Sequence, residues 1–258
     1  MNAEKNKTAT LREKFSNWFA SPLGKRVFTA EVEELQDILP DMFGYHILQY
    51  SYSAESNYIN ASRIADKTVL FLDESEIQNS LKAIYTSAEE LPIASDSIDV
   101  IVLPHILEYS KDAHKLLREM DRVLIGDGRV VIIGINPISL WGLWHLFLCW
   151  WGNMPWSGRL ISIPKIKDWL SLLDFDVKKT KCFFFSPPLR SEKWLNKLIP
   201  LERLGHYCWP ILGGLYVIVA KKRVIPLNPI KMHWTAKRKI LGSGVIEPTT
   251  RSSLKNNG

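Results

Sequence analysis

A hydrophobic run long enough to cross a bilayer is missing from this 258-residue sequence, cysteine is scarce, and a net basic charge is missing from most of its length. The segment that comes nearest to a membrane span, Ile138 to Trp151 (ISLWGLWHLFLCWW), has fourteen residues without a formal charge, whereas a spanning helix needs about 20. Five of the ten tryptophans (Trp141, Trp144, Trp150, Trp151, Trp156) fall in or just after it, which suits a buried helix, an apolar lid or an interfacial helix. Its length favours core or lid over membrane contact. Three cysteines, Cys149, Cys182 and Cys208, stand far apart with no Cys-x-x-Cys pair and no His cluster. That spacing excludes a disulfide framework and a structural zinc site and fits a reducing compartment. Met1 to Thr10 is polar, without the apolar centre of a signal peptide. A cytoplasmic location is expected, with peripheral membrane contact as its variant.

The formal charge of +6 resolves into two parts. Residues 221–258 carry nine basic residues against Glu247, a net of +8, while residues 1–220 carry −2. The body is therefore nearly neutral. The end of the chain is poor in apolar periodicity and rich in Pro, Gly, Ser and Asn, and reads as a basic, disordered tail over 225–258. Its HWTAKRK stretch has one aromatic beside basic residues, short of a recognition module, so nucleic acid is not an expected partner. Weak attachment to a membrane surface, through the tail or through Ile138 to Trp151, is the alternative use of these features. Composition and length are those of a globular domain over 1–224: N-terminal helices over 1–43, a core sheet over 44–136, and a Trp-rich lid and C-terminal part over 137–224.

Ser21-Pro22 is a helix start, and Leu23, Val27, Phe28, Val32, Leu35, Ile38 and Leu39 follow at helical spacing up to Pro40. Lys25, Glu31, Glu33 and Glu34 read as its solvated face. Strands are expected at Tyr45–Tyr50, Thr68–Leu72, Ala83–Thr86, Ile98–Leu103, Arg129–Ile135, Phe175–Phe185 and Gly214–Val224. IDVIVL and VVIIGI are almost wholly apolar, as in parallel strands covered on both faces. The helical spacing over Asp112–Leu124 makes a right-handed crossover between them. Further helices are expected at Lys165–Leu173 and around Ser191–Leu198. The whole is an α/β fold, a Rossmann-like open sheet, mostly parallel with an antiparallel edge and helices on both faces.

Ala83 to Pro137 contains an Ala-Glu-Glu-Leu-Pro turn, an Asp-x-x-Asp strand entry (Asp96, Asp99), a helix ending Arg-Glu-Met-Asp-Arg-Val-Leu, and the Gly126-Asp127-Gly128 turn before an apolar strand. In this order the stretch resembles the class I S-adenosylmethionine-dependent methyltransferases, in particular the type 11 methyltransferase family. The resemblance implies S-adenosyl-L-methionine as cofactor, bound outside the carboxyl ends of the first four strands. Gln49, Tyr50 and Ser51 would then approach the methionine moiety and Asp73 the ribose hydroxyls. Ser87, Ala88 and Glu89 would line the adenine, and Leu103 and Pro104 would lie near the sulfonium. His105 is the candidate to take the acceptor's proton, against a plain packing role. Asn136-Pro137 would border the acceptor pocket, and lone His145 reads as structural.

The family's glycine-rich acidic loop is degenerate here: His46 to Ala54 has no glycine and no acid, where glycine lets the backbone approach the cofactor closely. Two readings follow, a methyltransferase acting on an apolar small-molecule acceptor and a non-catalytic binding or scaffold protein of the same fold. The acceptor and the oligomeric state are open.

Overall fold

The computed structural model describes residues 13–51, 57–71, 82–85, 91–148, 158–188 and 209–224. The chain divides after Val224, and every described residue belongs to the unit Met1–Val224. The expected helix around Ser191–Leu198 and the basic tail lie outside the described residues.

Helix α1 covers residues 13–20 and α2 Pro22–Ile38. Between them Ser21 is extended, and its hydroxyl accepts from the Gly24 backbone N–H at 3.1 Å while Pro22 opens α2. This cap satisfies one of the helix's orphan donors, and proline costs nothing where no N–H is needed. A 3-10 turn, Leu39–Asp41, closes α2 at Pro40. Strands β1 (His46–Ser51), β2 (Asp66–Phe71), β3 (Lys82–Tyr85) and β4 (Ile98–Pro104) follow. After them come α3 (Ile106–Tyr109), α4 (Ala113–Val123), β5 (Leu124–Ile135), α5 (Leu140–Leu148), α6 (Ile163–Leu172), β6 (Phe175–Phe183) and β7 (Leu215–Lys222). All seven expected strands are present, with ends shifted by a few residues.

The seven strands form one sheet in the order β3-β2-β1-β4-β5-β7-β6. The first five are parallel, and β7 runs antiparallel between β5 and β6. The expected antiparallel edge is thus made by inserting the last strand inside the second-last. Alternation along each strand divides the core in two. One half joins Leu48, Tyr50, Ile101, Leu103 and Ile132 to Leu116, Leu117 and Met120 of α4 and Leu170 of α6. The other joins Ile47, Val100, Val102, Val131 and Ile133 to Leu23, Val27, Leu35 and Ile38 of α2. Each such buried side chain contributes about 1.5–3 kcal/mol relative to exposure, which is what holds helices to both faces.

Two sequence readings need correction. Gly126-Asp127-Gly128 is no turn between helix and strand: α4 ends at Val123, β5 begins at Leu124, and the triplet bulges within it, between the pairs Ile98–Leu124 and Val100–Arg129. Asp127 takes the left-handed turn of the bulge with a φ of 68°, and a Cβ at Gly128 would stand 2.6 Å from Leu124 Cγ, 2.9 Å from the Ile125 carbonyl oxygen and 3.1 Å from that of Asp99, so the bulge closes tightly around this glycine. The face of α2 is also less solvated than its charges suggest, since Glu31 and Glu34 are buried. Glu34 pairs with Lys181 and, at 3.5 Å, with Lys179 of β6.

Asp99 is structural, as its place at the strand entry suggests: its Oδ2 accepts from the backbone N–H groups of Tyr45 and His46 at 2.9 and 2.8 Å. Asp112 caps α4 by accepting from His114 and Lys115 N–H. Arg122 pairs with Glu119 at 2.6 Å and donates to the Leu91 carbonyl, tying the loop before β4 to the helix.

Candidate functional site

The strand order reverses between β1 and β4, which are hydrogen-bonded neighbours with crossovers leaving in opposite directions. A crevice opens at such a switch point outside the carboxyl ends of the strands. The residues delivered there are Gln49, Tyr50 and Ser51 from β1 and Leu103, Pro104 and His105 from β4, all buried. Asp73, Ser87, Ala88 and Glu89 lie outside the described residues.

Pleating sends Gln49 and Ser51 to one face and Tyr50 to the other. The Gln49 amide donates to the Ser51 hydroxyl at 3.1 Å and its carbonyl accepts from the Tyr58 N–H at 2.9 Å. An uncharged amide therefore anchors the chain as it returns from the loop after β1. The Tyr50 ring is fully buried in the core half that contains Phe15, Leu70 and Ile106.

His105 is the centre of a buried ionic cluster. Its backbone is left-handed, with φ 55° and ψ 9°, a conformation costing a non-glycine residue about 1–2 kcal/mol. That turn lays the imidazole between two carboxylates: Nε2 lies 2.6 Å from Glu31 Oε1 of α2 and Nδ1 3.2 Å from Glu108 Oε2 of α3. The Tyr58 hydroxyl donates to the other oxygen of Glu31 at 2.9 Å, and the Ile135 N–H donates to the other oxygen of Glu108 at 2.5 Å. Burial drives the imidazole towards neutrality, but the charges and hydrogen bonds of Glu31 and Glu108 outweigh it and raise the pKa to about 10. His105 is thus an imidazolium at neutral pH with both nitrogens engaged, whereas a group that takes a proton needs an open nitrogen. Two carboxylates against one imidazolium leave the cluster formally at −1.

Space is made for this cluster by Gly134 of β5: a Cβ there would stand 2.3 Å from the Tyr216 Oη and 3.0 Å from Glu108 Oε1. Burial, with Glu108 and Cys182 nearby, holds the Tyr216 phenol well above its usual pKa. Beside His105 an apolar cleft is lined by Phe15 and Trp18 of α1, Tyr109, Ile135, Trp141 and Leu215. It holds about 10 Å³, the space of one water molecule. Asn136 does not open into this cleft: its Nδ2 donates to the Ile211 and Gly213 carbonyls at 2.8 and 3.0 Å. His145 contacts the Gly158 carbonyl at 3.0 Å. Among the described residues no group of His, Cys, Asp and Glu could hold a metal ion.

Glu31 and Glu108 are the site residues that sequence reasoning missed. Glu31 had a signal, since it lies four residues from both Val27 and Leu35, on the apolar stripe of α2 and not opposite it. Glu108 had none beyond its proximity to His105.

Comparison with known proteins agrees with this fold. The methyltransferase-domain profile matches residues 39–132, from the end of α2 to β5. The Escherichia coli (strain K12) protein YafS is 36% identical over 218 residues, covering 83% of this chain and 84% of its own. A Thermotoga maritima S-adenosylmethionine-dependent methyltransferase superposes with a TM-score of 0.62 at 15% identity, covering 82% of this chain and 96% of its own. The geranyl diphosphate C-methyltransferase of Streptomyces coelicolor A3(2), solved with geranyl diphosphate and S-adenosyl-L-homocysteine, gives 0.52 at 16% identity, covering 78% and 80%. Profile, sheet order and relative together place the chain in the class I S-adenosylmethionine-dependent methyltransferase family, alongside YafS.

Proposed function

We propose that this protein transfers a methyl group from S-adenosylmethionine to an apolar small-molecule acceptor. The observation that carries the reading is the meeting, outside the carboxyl ends of β4 and β5, of a buried cluster of two carboxylates and one imidazolium with an aromatic-lined cleft. The cofactor supplies an already activated methyl on a sulfonium cation, so the protein's work is to hold, align and exclude water. A −1 cluster suits a cation placed near it. Gln49 and Ser51 at the end of β1, and Leu103 and Pro104 at the end of β4, are the described residues that would border the cofactor. Asp73 is assigned to its ribose, and Ser87, Ala88 and Glu89 to its adenine. Tyr50 would act through the core beneath it.

His105 is assigned as a positioning residue: its imidazolium fixes Glu31 of α2 and Glu108 of α3 across the crevice. Phe15 and Trp18 of α1 would form one wall of the acceptor's site. A non-catalytic binding role is favoured by one observation, the absence of any glycine from β1 and its carboxyl end, where Gln49 is instead tied to Ser51 and Tyr58. Incubation with methyl-labelled S-adenosylmethionine and an organic extract of cells separates the two. Label in the organic phase, dependent on folded protein, is the expected result. Cofactor binding without transfer to any extract supports the binding role instead.

A further inference from the structure

On the outer side of α5, the described surface carries a bare apolar face. Among the described residues twelve large apolar side chains are exposed, and eight of them fall on two short segments. Ile138, Leu140, Leu143, Trp144 and Leu146 belong to α5 and its approach; Trp209, Ile211 and Leu212 belong to the loop before β7. Asn136 stitches the segments together, its amide donating to the Ile211 and Gly213 carbonyls and its backbone N–H to the Gly214 carbonyl at 2.9 Å. Trp141 anchors α5 from beneath, its indole N–H donating to the Ser186 carbonyl at 2.9 Å. The opposite side of α5 is left uncovered, with Leu146 72% and Ile211 69% exposed.

We propose that this face docks on an anionic lipid surface. Contiguous apolar patches on soluble surfaces mark interaction sites. Residues 138–151 hold no formal charge to oppose entry into lipid. With nine residues α5 cannot span a bilayer, and no helix among the described residues is long and apolar enough to do so. A short helix with exposed Leu and Trp lies in the interface plane. Charge selects the occupant: residues 221–258 of the same chain carry +8, and a polybasic segment is drawn to an anionic headgroup layer. The proposal is independent of methyl transfer.

The test is flotation of the full-length protein with phosphatidylcholine vesicles, with and without phosphatidylglycerol. The protein is expected to float with the anionic vesicles and to be released by salt. Leu146→Ser together with Ile211→Ser should lower its partitioning about tenfold with circular dichroism unchanged. Should that variant misfold, brominated lipid provides a second readout, by quenching the tryptophan fluorescence of the unmodified protein in anionic vesicles. Absence of flotation, or flotation untouched in a folded double variant, overturns the proposal. So does a dimer in sedimentation that the double variant dissolves, since a second copy then covers the face.

Discussion

Raising the pH should weaken this protein well before its lysines titrate, and His105 is the reason. In the unfolded chain its pKa is the ordinary 6.5, and in the fold it is about 10. Between these values the folded state holds a proton that the unfolded state has released, so stability falls as pH rises. The contribution is complete below pH 6.5 and gone above about pH 10. Between pH 7 and pH 9 the loss amounts to about 2–3 kcal/mol, from 1.36 kcal/mol per unit of pKa difference. Urea unfolding of the unmodified protein and of Glu31→Gln, followed across this range, measures it. Removing one of the two carboxylates leaves the imidazolium paired with Glu108 alone and should cost about 1.5–3 kcal/mol at pH 7, the worth of one hydrogen bond to a charged group. It should also flatten the pH dependence, because His105 then sheds its proton at lower pH. Identical pH slopes in the two proteins would refute the ionic cluster as described.

Two further perturbations test the scaffold around the site. Gly134→Ala puts a methyl 2.3 Å from Tyr216 Oη and should cost about 1–3 kcal/mol by overpacking; thermal unfolding would show partial recovery in the double variant with Tyr216→Phe. Asn136→Ala removes the donor from two carbonyls and should lower stability by about 1–3 kcal/mol. Faster amide exchange in the loop before β7 would accompany it, and unchanged exchange would mean that the loop is held otherwise.

The sheet was legible because its strands are apolar runs buried on both faces, a pattern no helix or loop shares over IDVIVL and VVIIGI. The place of β7 between β5 and β6 was less legible, since Gly214–Val224 reads only as a strand beside Phe175–Phe185 and nothing local states its neighbours. Gly126-Asp127-Gly128 misled because glycines in a turn and glycines in a bulge look alike until Asp99 is seen packed against Gly128. The site was half legible. His105 was found from its place after β4, but its charge depends on Glu31, 74 residues earlier. Its charge makes that glutamate look like part of a wetted face although its spacing puts it on the apolar stripe, and only the turn at His105 shows why a carboxylate belongs there.

Calorimetric titration with S-adenosylmethionine tests the central claim most directly, because it asks whether a crevice without the glycine loop still holds the family's cofactor. Saturable heat at one site per chain is the predicted result, weakened by Asp73→Ala. No heat at millimolar cofactor, with the protein folded by circular dichroism, would contradict the account and leave a methyltransferase fold that binds something else.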